Sequence, residues 1–171
     1  IVAWEPKQLA STKAWTVYRR GESLSQWDSL GQVAATDTAV FVDKTVNTKQ
    51  QAYQYAIVTK DEYGCKSPMS AAHTTMHLKT GVSLQNYPQL WWSAYQGVEV
   101  ESYIIYRENV QTKQFEEIGS TFLTSFTDLK PNGTNNYRVA IKFANWIKPS
   151  KLKSDSGPFS QSFSNMSEAS L

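Results

Sequence analysis

The chain holds one cysteine, Cys65, in 171 residues, which excludes an intrachain disulfide framework. It holds two histidines, His73 and His77, and no Cys and His set at the spacing of a zinc site, so no metal is expected. The formal net charge is only +2 and the lysines are scattered, so no concentrated field exists to steer nucleic acid. No run approaches the roughly 18 apolar residues that a membrane-spanning helix needs. No stretch carries a sustained 3.6-residue period with caps, so a helical chain is excluded too. What the chain has instead is aromatic: six Trp, nine Tyr and seven Phe, each able to hide roughly 150 to 250 Å² on folding.

Those aromatics repeat. Trp4, Trp15, Val17, Tyr18, Arg19, Trp27, Leu30 and Gly31 recur, at a constant step of 88, as Trp92, Tyr103, Ile105, Tyr106, Arg107, Phe115, Ile118 and Gly119. The step shortens to 85 for Phe41 and Asp43 (Phe126 and Asp128), and to 82 for Tyr55 and Ile57 (Tyr137 and Val139). Register slips only where loops can shorten, so the chain is two copies of one module. Each copy is of a size that can just bury its own core. The expected domains are 1–73 and 74–171.

Short segments rich in β-branched and aromatic residues alternate with turn signals, which reads as all-β. The second copy predicts strands near 74–80, 89–94, 101–107, 114–119, 122–128, 134–143 and 157–166, enough for a two-sheet sandwich. The first predicts 1–5, 13–20, 26–34, 38–44, 51–60 and 66–72, with nothing before Ile1 to serve as an opening strand. Alternation points Trp15, Val17, Tyr103 and Ile105 inward and Tyr18 and Tyr106 outward. Pro131-Asn132-Gly133-Thr134 and Gly64 should turn the chain. The join at Ser70–Lys79 lacks Gly and Pro, which predicts a stiff connection. The tail from Ser154 is rich in Ser, yet Phe159, Gln161 and Phe163 alternate as in a closing strand. Ile1-Val2-Ala3-Trp4 reads as mid-strand rather than as a signal peptide, so the chain is expected to be part of a longer one with any targeting sequence upstream.

Trp92-Ser93-Ala94-Tyr95-Gln96-Gly97, Tyr103-Ile104-Ile105-Tyr106-Arg107, Ile118-Gly119, Phe126-Thr127-Asp128 and Asn136-Tyr137-Arg138-Val139, with Trp4-Glu5-Pro6 and Val17-Tyr18-Arg19-Arg20 in the first copy, resemble tandem fibronectin type III domains. The likeness is to those strung along exported and surface proteins of Bacteroides-like bacteria. It implies two consecutive immunoglobulin-like sandwiches, the first lacking its opening strand, with Trp4, Trp15, Tyr53, Trp92, Tyr103 and Tyr137 in the cores. It also implies an extracellular or cell-surface setting. By the same resemblance Tyr53 looks like a tyrosine-corner residue. Asn135 falls at the corresponding place in the second copy, where the corner is either lost or shifted by an inserted Asn-Gly.

Candidate chemistry is thin. His73 and His77, four apart on a strand, would sit about 13 Å apart, too far to share a metal. Glu116 and Glu117 are neighbours on a strand facing opposite ways, so they are not a catalytic pair. Cys65 has only Lys66 as a basic neighbour, which is little reason for a lowered pKa. Arg20-Gly21-Glu22 resembles an integrin-binding tripeptide with Glu for Asp and is a chance match, while the sequons at Asn132 and Asn165 would matter only in a eukaryotic secretory pathway and are discounted because the resemblance is to bacterial proteins. Aromatic residues remain. Trp91 must face away from the core if Trp92 faces in, and Trp146 is expected in the loop after the sixth strand.

The sequence thus points to a non-catalytic spacer or adhesion module, without cofactor, whose partners are neighbouring domains of a longer chain and a protein or polysaccharide at the cell surface. The alternative is a carbohydrate-binding accessory module with Trp91, Tyr95 and Trp146 as an aromatic platform.

Overall fold

The computed structural model describes residues 1–6, 11–21, 24–133, 136–149 and 157–169. Every element among them is a strand. In chain order these are β1 (Val2–Ala3), β2 (Thr12–Gly21), β3 (Asp28–Ala34), β4 (Val40–Phe41), β5 (Tyr53–Asp61), β6 (His73–Thr74) and β7 (Leu78–Val82). They continue as β8 (Pro88–Trp92), β9 (Tyr103–Glu108), β10 (Phe115–Thr121), β11 (Ser125–Thr127), β12 (Asn136–Ile147), β13 (Phe159–Phe163) and β14 (Ser167–Glu168).

Two compact units share the chain. Unit 1 comprises Ile1–Val46, Tyr53–Thr74 and Phe143–Ser160; unit 2 comprises Asn47–Ala52, Thr75–Lys142 and Gln161–Leu171. In the first copy a four-stranded sheet, β3-β2-β5-β6, accompanies the pair β1-β4. In the second, β10-β9-β12-β13 accompanies β11-β8-β7, and β14 adds to β12. These strand pairs are antiparallel: β1 with β4, β2 with β3 and β5, β5 with β6, β7 and β11 with β8, β10 and β12 with β9, and β14 with β12. The architecture is that of immunoglobulin-like β-sandwiches. The strand corresponding to β7 has no counterpart in the first copy among the described residues.

Period-2 alternation places the core-facing residues, and the central strands bury residues of their other face as well, among them Thr16, Ile104 and Ala140. Trp15 and Val17 of β2 pack with Trp4, Val33 and Ala39, flanked by Val2, Phe41, Tyr55 and Ile57. In the second copy Leu78, Leu90, Ile105, Tyr137, Val139 and Ile141 are fully buried. Trp4 meets Trp15 edge-on with centroids 5.7 Å apart, and Trp92 meets Tyr103 the same way at 5.4 Å, a geometry that favours aromatic quadrupoles. Tyr53 is also buried.

The recurring Leu-Gly and Ile-Gly pairs have a shared cause. Register breaks between Val17 and Tyr18 opposite Leu30, and between Tyr106 and Ile105 opposite Ile118, so each copy carries a β-bulge there. A Cβ on Gly31 would lie 3.2 Å from the Phe41 ring, and one on Gly119 3.3 Å from the Phe126 ring. Glycine lets that ring lie against the strand.

Three expected elements differ. Segment 66–72 forms no strand, only a bridge between Lys60 and Lys66. Pro68 cannot donate to a ladder, and the hydroxyls of Ser67 and Ser70 accept the Thr59 and Ile57 N–H groups instead. The first strand expected at 74–80 divides into β6, paired with β5, and β7, paired with β8. Trp146 lies on β12, which runs on to Ile147, and not in a loop. Glu22, Thr134, Asn135 and Ser154–Ser156 fall outside the described residues.

Candidate functional site

The most polar buried groups are one cluster built twice. Arg19 on β2 donates from Nη1 to Asp43 Oδ2 at 2.8 Å, and the Tyr55 hydroxyl on β5 donates to the same oxygen at 3.0 Å. Thr45 supplies its N–H and hydroxyl to Asp43 Oδ1 at 2.9 and 2.8 Å. In the second copy Arg107 donates to Asp128 Oδ2 at 2.6 Å, Tyr137 donates to it at 2.9 Å, and Lys130 N–H donates to Oδ1 at 3.0 Å. Arg107 Nη1 also reaches the Lys130 carbonyl at 2.6 Å.

Burial pushes the Asp43 carboxyl up, but the hydrogen bonds from Thr45, Arg19 and Tyr55 outweigh it and hold the group below its ordinary value. The two tyrosine hydroxyls move the other way. Burial, with the adjacent carboxylate, raises Tyr55 and Tyr137 well above the ordinary phenol range. An Asp whose oxygens are all taken by donors and a Tyr that does not ionise are poor acid–base partners. The cluster ties the segment that follows β4 in the first copy, and β11 in the second, to the sheet behind it. Tyr55 and Tyr137 fill this place, while Tyr53 lies under the Arg19 guanidinium at 5.4 Å.

A second repeated device is a serine hydroxyl that accepts a strand N–H, at a buried place in the second copy and an exposed one in the first. The Ser164 hydroxyl accepts the Val139 N–H at 3.0 Å and donates to the Asn165 carbonyl at 2.7 Å. Ser70 does the same with Ile57 and Ala71.

The remaining candidates separate. His77 is buried and its Nε2 lies 3.1 Å from the Lys49 carbonyl. His73 is half-buried, and burial holds its pKa below the usual value. No group of three metal-capable side chains occurs among the described residues. Cys65 is an exposed thiol whose N–H donates to Asp61 Oδ1. Glu116 accepts from Asn109 Nδ2 at 2.8 Å. Arg20 binds Gln54 at 2.6 Å and stacks over Trp27 at 4.6 Å. Asn165 is committed to β7: its Oδ1 accepts the Leu78 N–H at 2.7 Å and its Nδ2 donates to the Leu78 carbonyl at 2.9 Å.

The three candidate rings do not fall in one unit. Trp91 and Tyr95 belong to unit 2 and Trp146 to unit 1. Trp91 is 42% exposed and Trp146 55%. Tyr95 is half-buried, and burial pushes its hydroxyl up to about 12.

Trp91 borders a cleft. In unit 2 a recess of about 520 Å³ is lined by Lys79, Thr80, Trp91, Asn165, Ser167 and Glu168, with His77 and Gln50 among the other walls. Thr80 Oγ1 donates to the Glu168 carbonyl at 2.7 Å and sits 3.0 Å from Ser167 Oγ, which closes the floor along β7. A Cβ on Gly81 would lie 2.9 Å from Trp91 Cη2, so the indole rests on the backbone of β7 where residue 81 has no side chain. Gly81 carried no signal in the sequence, since its role depends on a ring from the neighbouring strand.

No family model matches this chain, and no curated protein matches it. Among solved structures it is similar to the chicken CNTN1 FN1-FN3 domains, with 16% sequence identity and a TM-score of 0.32. That match covers 82% of this chain and 54% of the other, so the chain spans about half the length of that structure.

Proposed function

We propose that this chain is a non-catalytic pair of fibronectin type III-like domains, 1–73 and 74–171, that spaces or presents other parts of a longer exported or cell-surface protein of Bacteroides-like type. The observation that carries this reading is the Arg–Asp–Tyr cluster, present in both copies and closed on itself. The ionisable groups of this cluster are spent on joining strands. Its partners are then neighbouring domains and, through exposed side chains, a protein or polysaccharide at the cell surface.

The test is replacement. Exchanging the chain, inside its parent protein, for an unrelated tandem sandwich of equal length should leave the parent's surface display and activity intact. A parent that is displayed normally but loses its activity would sink the spacer reading.

A further inference from the structure

The two copies act as controls for each other. Aromatic positions that the framework needs are filled in both: Trp4 and Trp92, Trp15 and Tyr103, Phe41 and Phe126, Tyr55 and Tyr137. Trp91 is not among them. Its counterpart, at the same step of 88 that relates Trp4 to Trp92, is Ala3. The ladders agree with that match, because Ala3 pairs with Val40 on β4 and Trp91 pairs with Ser125 on β11. The first copy is built with a methyl group at this place, where no strand equivalent to β7 lies alongside among the described residues, so the indole is a feature of the second copy and not of the repeated frame.

The added ring is only partly covered and is held in position. A large apolar ring left 42% exposed forgoes part of the stabilisation that burial would bring. Gly81 gives it a fixed seat, with the ring edge on the backbone of β7. Beside it lie the charged ends of Lys79 and Glu168, both exposed, and the hydroxyls of Thr80 and Ser167. Across the whole recess the lining holds two lysines, Lys49 and Lys79, one carboxylate, Glu168, and the amides of Gln50, Asn136 and Asn165, a mixture of donors and acceptors that suits a ligand rich in hydroxyls. The recess of about 520 Å³ falls within the roughly 300 to 1,000 Å³ typical of small-ligand sites.

We infer that this cleft binds a saccharide chain, with one sugar ring stacked on Trp91 and its hydroxyls shared among Lys79, Glu168 and the polar floor. The chemistry of the class matches the wall. A pyranose presents an apolar face of C–H groups to an aromatic plane and a rim of hydroxyls, each both donor and acceptor, to charged and hydroxyl side chains. An extended peptide would instead need free backbone groups along β7, and residues 165–168 occupy that flank through Asn165 and Thr80. The inference is independent of the spacer reading, which stands or falls by the replacement experiment.

The experiment is isothermal titration of the whole chain against a panel of soluble polysaccharides: laminarin, xyloglucan, galactomannan, arabinoxylan and a pectic galactan. At least one should bind saturably. Trp91→Ala should weaken that binding by roughly tenfold or more, and Gly81→Ala, which pushes the ring off its seat, should weaken it in the same direction. Trp146→Ala should leave it unchanged. Circular dichroism on each variant separates lost binding from lost folding, and Trp91→Phe, which keeps an aromatic ring at the site, should retain part of the affinity if Trp91→Ala proves unstable. A flat response across the panel, or binding that survives Trp91→Ala in a folded chain, overturns the proposal.

Discussion

Asp128 accepts three donors within a single side chain while almost wholly buried. Converting it to Asn keeps the shape but turns one acceptor into a donor facing Arg107 or Tyr137, and removes the charge that neutralises Arg107. Asp128→Asn should therefore cost about 2 to 4 kcal/mol in urea unfolding. Tyr137→Phe loses a single hydrogen bond from a buried ring and should cost about 1 kcal/mol. Equal losses from the two variants would mean that the carboxylate is not the centre of the cluster. The letters of this cluster were visible in the sequence, since Arg19, Asp43 and Tyr55 all recur, but their meeting was not. They lie on separate segments whose steps are 88, 85 and 82, and only strand pairing brings them together. The choice between Tyr53 and Tyr55 was equally closed to the sequence, because residues two apart on a strand share a face.

Strand edges are where sequence pattern and observed element part company. Alternation found the strands by their buried faces and says nothing about how far a ladder runs once both sides are polar. So β12 continues through Ala144, Asn145 and Trp146 and stops just before Pro149, which cannot donate. Segment 66–72 shows the converse: expected as a strand, it has serine hydroxyls in the place of ladder acceptors. These serines make a testable pair. Ser164→Ala leaves the buried Val139 N–H without its side-chain acceptor and should cost about 1 to 3 kcal/mol. In hydrogen exchange the Val139 amide should lose protection ahead of Ile105 and Ile141. Ser70→Ala, at an exposed position, should cost less. Unchanged Val139 protection in the Ser164 variant would show that water replaces the hydroxyl.

Across the whole molecule, acid should be the destabilising direction, in two windows. His73 has a folded pKa below its ordinary 6.5 because burial disfavours its charged form. The unfolded chain then binds the proton first, so stability falls as pH drops below about 6.5. Asp43 has a folded pKa below its ordinary 3.8. Its contribution is complete above that value and is lost as pH falls through the lowered one. The urea midpoint should therefore decline between pH 7 and pH 5.5, and His73→Gln should flatten that first decline while leaving the second. A first decline that persists in the variant would assign it to another group. At this scale the sequence disclosed the repeat, the all-β class and the aromatic cores. It could not disclose the cleft, because a recess is made by side chains from β7, β8, β14 and the segments 47–52 and 165–166, which no local pattern relates.

The pair β1-β4 has a practical consequence in the test tube. Among the described residues β1 and β4 pair only with each other, and backbone donors and acceptors left outside a ladder invite the same row of another molecule, so concentrated solutions of residues 1–171 should coarsen slowly into strand-paired aggregates. Ala3 is where to interrupt this. The second copy tolerates an indole at the same place, so Ala3→Lys should fold normally, and light scattering should show it clear at concentrations where the parent chain turns cloudy. The shelf life of the protein is then set by one residue of its shortest sheet.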